Sequence, residues 1–176
     1  MRWMWIDSIV EYEPDKRLVA VKNVSLAEEH LHDHFPAEGD REAMPVMPAS
    51  LMIEGMAQTA GILVGAVNRF REKVILAKIT TAEIDADVFP GQTIRYEAKL
   101  ERMDDKGAST TGIVRRLDHR RGAEAAAWQT IGRIDLMFSH VDQNVSGIEF
   151  PEENFVFSEN FRTILRTSGL ADLASS

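Results

Sequence analysis

The run from Ala49 to about Arg71, containing SLMIEGMAQTAGILVGAV, constrains this chain more than any other segment. It is apolar on nearly every side, and such a helix is stable in water only when the rest of the fold covers it all round. Pro48 stands at its start, in the first turn, where a missing N–H is tolerated. The cover has to come from the flanking segments, and these read as strands. Residues 3 to 12, WMWIDSIVEY, and 17 to 24, RLVAVKNV, are joined by the polar turn EPDK and form an expected hairpin. From Val74 to about Val141, VILAKITTAEI, QTIRYEAKLERM, STTGIVRRL and AEAAAWQTIGRIDLMFSHV are rich in β-branched and aromatic residues. DDKG and HRRG stand between successive members as hairpin turns. The order predicts an α+β fold in which an antiparallel sheet wraps around one central helix.

The remaining segments are shorter. Ser25 and Glu28 have the spacing of a capping box and predict a short helix. Phe35 to Met47 carries Pro36, Gly39 and Pro45 among charged residues and reads as a loop. Near the end, Ser158 is placed to cap a helix whose Phe161, Ile164 and Leu165 share a face and which Gly169 ends. A chain of 176 residues buries one good core. The expected division is a main domain over residues 1 to 144 and an extension over 145 to 176, a docked surface helix with a frayed tail.

Several function classes are disfavoured at this level. With no cysteine there is no disulfide, thiolate metal site or cysteine nucleophile, which is compatible with a reducing compartment. Acids appear early in MRWMWIDSIVEYE, unlike a secretory signal, and no uninterrupted apolar run reaches the roughly eighteen residues of a membrane span. A cytoplasmic protein with no membrane association is expected. A formal charge of −8 argues against nucleic-acid binding.

Within the apolar helix stand Glu54 and Gln58, four apart and therefore on one face. A carboxylate in such surroundings needs a partner, a hydrogen bond or a proton. One reading is a packing role with a buried Arg or backbone donors; the other is chemistry. Glu54 lies one to two turns from the helix start, so a substrate carbonyl held by the free N–H groups of Ala49 and Ser50 would lie close to it. Gln58 is the expected hydrogen-bond neighbour of Glu54. Upstream, His30, His32 and His34 in HLHDHFP would share one side of an extended strand. The run resembles the HxHxDH pattern of metallo-hydrolases but is one residue too short, and no further ligand cluster follows. No metal or other cofactor is assigned, and each histidine taken alone reads as an ordinary surface or core residue.

The pieces HFP at 34–36, PVMPASLMIEGMAQTAG at 45–61 and VFPGQTI at 88–94 resemble the signature of the β-hydroxyacyl-acyl carrier protein dehydratases of the FabA/FabZ type. A looser match in IDSIVEYEPDKRLVAVKNVSLAEEHLHDHFP extends the resemblance over roughly residues 5 to 140. It implies a hotdog fold and a homodimer whose active sites lie in tunnels at the interface. It further implies that the histidine, His34, and the acid, Glu54, come from different protomers. A glutamate there resembles the FabZ branch, in which three such dimers form a hexamer. The implied substrates are (3R)-3-hydroxyacyl thioesters of acyl carrier protein or coenzyme A, converted to trans-2-enoyl thioesters in fatty-acid or related lipid or polyketide synthesis.

The chemistry fits those residue types. Loss of water needs a base for the α-proton and an acid for the departing hydroxyl. Imidazole suits the first role, and a carboxyl kept protonated by apolar surroundings suits the second. The N–H of Ala49, helped by Ser50, would hold the thioester oxygen as negative charge develops on it. Met52, Met56, Ile62 and Leu63 are expected as core, with some lining the acyl tunnel.

Three departures from the family pattern stand out. AEGDREAM separates Pro36 from Pro45 where the family has about two residues, an insertion that loops absorb at small entropic cost. Asp33 stands where the family has glycine, and a positive φ is one reason for a glycine there; Ala49 replaces another glycine and adds a methyl beside the thioester site. Two basic clusters are candidate docking patches for an acidic carrier protein: Arg115, Arg116, Arg120 and Arg121, and Arg69, Arg71 and Lys73. The alternatives to a dehydratase are a hotdog thioesterase, in which Glu54 activates water, and a non-catalytic acyl-binding subunit.

Overall fold

Buried and less buried side chains alternate along much of the strands at 92–104 and 107–118, so each turns one face inward and one outward. A computed structural model describes residues 3–122, 127–140, 157 and 159–174. Its strands are β1 (Ser8–Glu13), β2 (Arg17–Asn23), β3 (Val74–Ile84), β4 (Gln92–Asp104), β5 (Gly107–Asp118) and β6 (Gln129–His140). The helices are α1 (His30–Asp33), α2 (Ala49–Val67), α3 (Glu159–Thr167) and α4 (Ala171–Ala174). The strands form one sheet in the order β1-β2-β4-β5-β6-β3, antiparallel throughout. Register shifts in four of the five pairings mark bulges, two of them along β3, and bulges increase local twist and bend the sheet. The sheet curls around α2, as the sequence predicts.

Ile94, Tyr96 and Ala98 of β4, Val114 of β5, and Ile134, Leu136 and Phe138 of β6 form the inward wall against Met52, Met56, Leu63 and Val64 of α2. Two glycines set how closely neighbouring rings approach the helix. A Cβ on Gly55 would lie 2.5 Å from the Tyr96 ring, and one on Gly65 would lie 2.5 Å from Phe157 and 2.7 Å from Phe70.

Several boundaries differ from the sequence reading. The first strand begins at Ser8, not residue 3; Trp5 and Ile6 are buried in the core ahead of it. Pro48 is the N-cap of α2, just outside its first turn. The helix stops at Val67, not near Arg71, because Phe70 N–H donates to Gly65 O at 2.7 Å and Arg69 N–H to Ala66 O at 3.0 Å. This is a Schellman closure with left-handed Arg69 in the place where glycine is usual. The same closure ends α3, with Gly169 at φ +78° and Leu170 N–H on Leu165 O. In the capping box, Glu28 accepts from Ser25 N–H at 3.2 Å, but Ser25 Oγ takes Ala27 N–H, and the helical turn starts only at His30. Residues 30 to 33 are therefore helical rather than extended, and the three histidines do not share one side of a strand. Ser158, residues 123–126 of the predicted last strand, and the 144/145 boundary lie outside the described residues.

Ile164 and Leu165 of α3 belong to the same core cluster as α2, and Ser168 accepts the Ile9 N–H of β1 at 2.9 Å. On the opposite edge, β3 is exposed along most of its length, with Leu76 and Ile79 uncovered. α2 is long and apolar enough to cross a membrane by composition, yet most of it is buried inside this sheet.

On the outer face, Arg115 lies 2.7 Å from Glu97, with Lys99 at 3.7 Å and Arg17 at 3.9 Å. Partial burial alone would raise the Glu97 carboxyl, but the three cations outweigh it and hold the group below the usual carboxylate range. A depressed folded-state value stabilises the fold above the unfolded pKa and is lost as pH falls through the folded one. Glu97→Gln is thus expected to cost about 1 kcal/mol near neutrality. In urea titrations against pH, the gap from wild type should close once the medium is acidic enough to protonate Glu97 in both states.

Candidate active site

The stripe of α2 carrying Ser50, Ile53, Glu54, Ala57 and Gly61 is less buried than the rest of the helix. Burial is therefore not complete on every side, as the apolar sequence led us to expect; the sheet leaves this face uncovered. Glu54 is half-buried on it and lines a cleft of about 280 Å³ together with Gln58, Gly61, Ile62, Leu76 and Phe138. Gln58 is buried and fixes the carboxylate. Its Nε2 donates to Glu54 Oε1 at 2.9 Å and to Trp3 O at 3.1 Å, and its Oε1 accepts from Trp5 N–H at 2.9 Å. The pairing of Glu54 with Gln58 follows the expected spacing. Of the four apolar residues named from sequence, Ile62 lines the cleft while Met52, Met56 and Leu63 are core.

His34 closes the α1 turn and is half-buried. Its Nδ1 lies 2.5 Å from Val46 O, and since a carbonyl only accepts, Nδ1 carries a proton, so in the neutral ring the lone pair is on Nε2. That is the tautomer of a base. Val46 belongs to the PVMP segment, whose Met47 N–H donates to Val88 O at 2.8 Å, so backbone and ring bonds tie the three signature segments together. His34 is not among the residues lining the Glu54 cleft of the same chain. His30, by contrast, packs edge-on against Trp5 at 5.0 Å, and burial above all keeps its imidazole below the usual value. It is a half-buried packing histidine.

Ala49 and Ser50 form the exposed first turn of α2, with no side-chain cap above them. Leu51 and Met52 N–H both turn to Pro48 O, at 3.0 and 3.2 Å. The first N–H groups of a helix have no acceptor within it, and Ser50 lies one turn from Glu54 on the same stripe. The arrangement can hold an anionic oxygen at the helix end while a carboxyl faces the adjoining atoms of the same ligand.

The insertion forms a small self-contained excursion. Glu38 and Arg41 bridge across a turn at left-handed Gly39, and Met44 N–H returns to Phe35 O at 2.9 Å. Asp33 has no positive φ; the left-handed residue is Phe35, at φ +61°, its ring 4.3 Å from that of His34. The basic clusters also separate. Arg115 is paired with Glu97, Arg120 with Asp118, and Arg116 holds Gln129 and the Asp87 carbonyl. Arg121's side chain lies outside the described residues. Arg69, Arg71 and Lys73 make no ion pair among the described residues.

The sequence reading missed Trp3, Leu76, Phe138, Phe157 and Phe161 as cleft-lining residues. The apolar face containing Phe161 was visible, but its target was not, because nothing local says where a terminal helix docks.

The chain matches the model of the FabA-like domain family over residues 2–119. A relative from Clostridium tetani, a 3-hydroxyacyl-[acyl-carrier-protein] dehydratase FabZ, is 34% identical over 128 residues, 72% of this chain and 85% of its own length. A FabZ from Anaeromyxobacter is 36% identical over 70% of this chain and 77% of its own. The FabZ of Solibacter usitatus is 37% identical over 63% of this chain, and the match spans 65% of that relative. Among solved structures, the dehydratase heterocomplex ApeI:P from Xenorhabdus doucetiae superposes with a TM-score of 0.56 at 15% identity, covering 78% of this chain and 83% of that one. An acyl-CoA hydrolase from Agrobacterium tumefaciens gives 0.54 at 14% identity over 77% of this chain and 46% of its own. At such identities the structures share the fold alone.

Gln58→Leu removes all three bonds of the carboxamide and leaves the Trp5 N–H without its partner. We expect a loss of about 2 kcal/mol in urea denaturation, since a buried donor then goes unpaired. A loss near zero would mean that Gln58 does not hold the 3–5 segment in place.

Proposed function

Because the chain belongs to the FabA-like domain family, we propose that it dehydrates (3R)-3-hydroxyacyl thioesters to trans-2-enoyl thioesters, with His34 as base and Glu54 as acid. The observation that carries the reading is the His34 ring itself: its Nδ1–H is committed to Val46 O, which leaves Nε2 free to take a proton. In the proposed reaction Nε2 removes the α-proton, and the thioester oxygen takes up charge against the Ala49 and Ser50 N–H groups. Glu54 gives its proton to the 3-hydroxyl, which leaves as water. Gln58 orients Glu54 through the 2.9 Å bond. No redox change occurs, and the residues named supply both proton transfers. Soluble fatty-acid or related lipid synthesis in the cytoplasm is the setting this reading implies.

The site needs a second copy on this reading, since His34 does not line the Glu54 cleft of its own chain. The β3 edge supports a homodimer. It is an 11-residue edge strand with no proline and with Leu76 and Ile79 exposed, whose outward side meets no strand among the described residues, a surface that pairs with another strand or aggregates. Pairing of two β3 edges would bring each protomer's cleft to the interface, where the partner's histidine would enter. Assembly of such dimers into a hexamer is a further step that light scattering would reveal.

For the carrier, Arg69, Arg71 and Lys73 are the better docking candidate, because the cations at 115, 116 and 120 already hold partners. Charge reversal at Arg69 and Arg71 is expected to lower kcat/KM severalfold for carrier-linked substrate at low salt and to leave the coenzyme A thioester nearly unaffected. Equal losses on both would remove the docking assignment.

The decisive assay is hydration of a 2-enoyl thioester, followed by loss of the enoyl absorbance. Wild type should turn over, and His34→Ala and Glu54→Gln should each abolish turnover in a chain that still unfolds cooperatively, His34→Ala with a somewhat lower denaturation midpoint because Val46 O loses its partner. Mixing and refolding the two inactive variants together should restore about a quarter of wild-type activity if each site draws on both protomers of a two-fold dimer. No recovery would place both groups in one chain. Thioester hydrolysis in place of hydration would establish the thioesterase instead, and acyl binding without turnover the non-catalytic subunit.

A further inference from the structure

We propose that the C-terminal extension, which lies beyond the family-matched residues, closes the far end of the acyl cleft through Phe157 and Phe161 and so sets the chain length the site accepts. The inference rests on the dehydratase reading and deepens it.

Both rings line the cleft that Glu54 lines. The family match ends at residue 119, so neither belongs to the matched domain. Their place along the cleft follows from α2. Ser50, Glu54, Ala57 and Gly61 follow one another along the open stripe, and Gly65 lies one turn beyond Gly61. Phe157 packs into the space that the missing Gly65 side chain leaves, 4.5 Å from Phe70. Phe161 stands 5.8 Å from Phe157, ring edge to face. With the thioester at Ala49 and Ser50, an acyl chain directed past Glu54 along the stripe meets these rings near Gly61. The run from Glu54 to Gly61 is about 10 Å at the helical rise.

The wall is firmly held. Ile164 and Leu165 sit in the common core, and Ser168 is bonded to Ile9 N–H. Phe161 is only half-buried, so its size can change without emptying the core beneath α3. The lining beyond Glu54 and Gln58 is apolar and includes Ile62, Val74, Leu76 and Phe138, which suits a hydrocarbon chain.

The test is kcat/KM for a series of enoyl thioesters, from crotonyl through octenoyl and dodecenoyl to hexadecenoyl, on the full chain. Phe161→Ala should raise the ratio of dodecenoyl to crotonyl turnover roughly tenfold, and Phe161→Trp should lower it by a similar factor. Arg162→Ala, on an exposed position of the same helix, should leave the ratio at its wild-type value. If Phe161→Ala does not fold, the direction of the tryptophan variant decides. Folded variants whose chain-length profile matches wild type would overturn the role of the extension while leaving the dehydratase reading intact. A wild-type chain that hydrates none of the series would instead overturn the dehydratase reading, and the inference with it.

Discussion

The burial of α2 is the constraint on which the rest depends. A nineteen-residue helix of this composition cannot face water, and a single curled antiparallel sheet covers most of it. Gly55 and Gly65 let the helix sit close enough for Tyr96, Phe70 and Phe157 to pack directly on its backbone. Covering a cylinder with an open sheet leaves a seam, and the seam here runs along Ser50, Glu54, Ala57 and Gly61. Polar residues of the helix lie at or next to that seam. Glu54 faces it, and Gln58, just inside, ties Glu54 to the chain ahead of β1.

The second level of organisation is the set of bonds joining segments far apart in sequence. His34, the PVMP segment and the VFPGQTI segment meet through His34 Nδ1 to Val46 O and Met47 N–H to Val88 O. The same bonds fix the direction from which the chain enters α2, and hence where its first N–H groups point. A ring held by a backbone carbonyl keeps one tautomer, so a contact that belongs to the folding of a loop also prepares the proposed base. Phe35 shows the strain at this junction: a bulky residue in a left-handed conformation, its ring against His34.

Much of this was legible in the sequence, and what was not has identifiable reasons. Strands such as 74–84 carried their boundaries in their composition, and the pairing of Glu54 with Gln58 followed from helical spacing alone. The end of α3 was legible because Gly169 occupies the left-handed position. The end of α2 was not, because Arg69 occupies the equivalent position and only tertiary packing of Phe70 against Gly65 makes that acceptable. A positive φ was one reading of the family glycine replaced by Asp33, and the left-handed residue is instead Phe35, two residues on, where the inserted loop closes. Of the two residues named from resemblance, Glu54 lines the described cleft and His34 does not. Helical spacing cannot reveal that, since it relates residues within one element and not segments that the tertiary fold places apart.

The proposed site is therefore composite in two different senses, with different physical consequences. The cleft proposed for the acyl chain is made within one chain, from α2, β3, β6 and the terminal aromatic pair, so its shape depends on how α3 is docked. The acid–base pair is proposed to form only across two protomers, so its population follows mass action and the strength of the β3 edge contact. Binding of the acyl chain and turnover are then separable properties. A change on α3 alters which chain fits without touching the proton transfers, whereas a change on the β3 edge removes turnover from a cleft that still holds its ligand. In this arrangement the chemistry stays with the motifs near α2, and selectivity with a segment that lies outside the family's common domain.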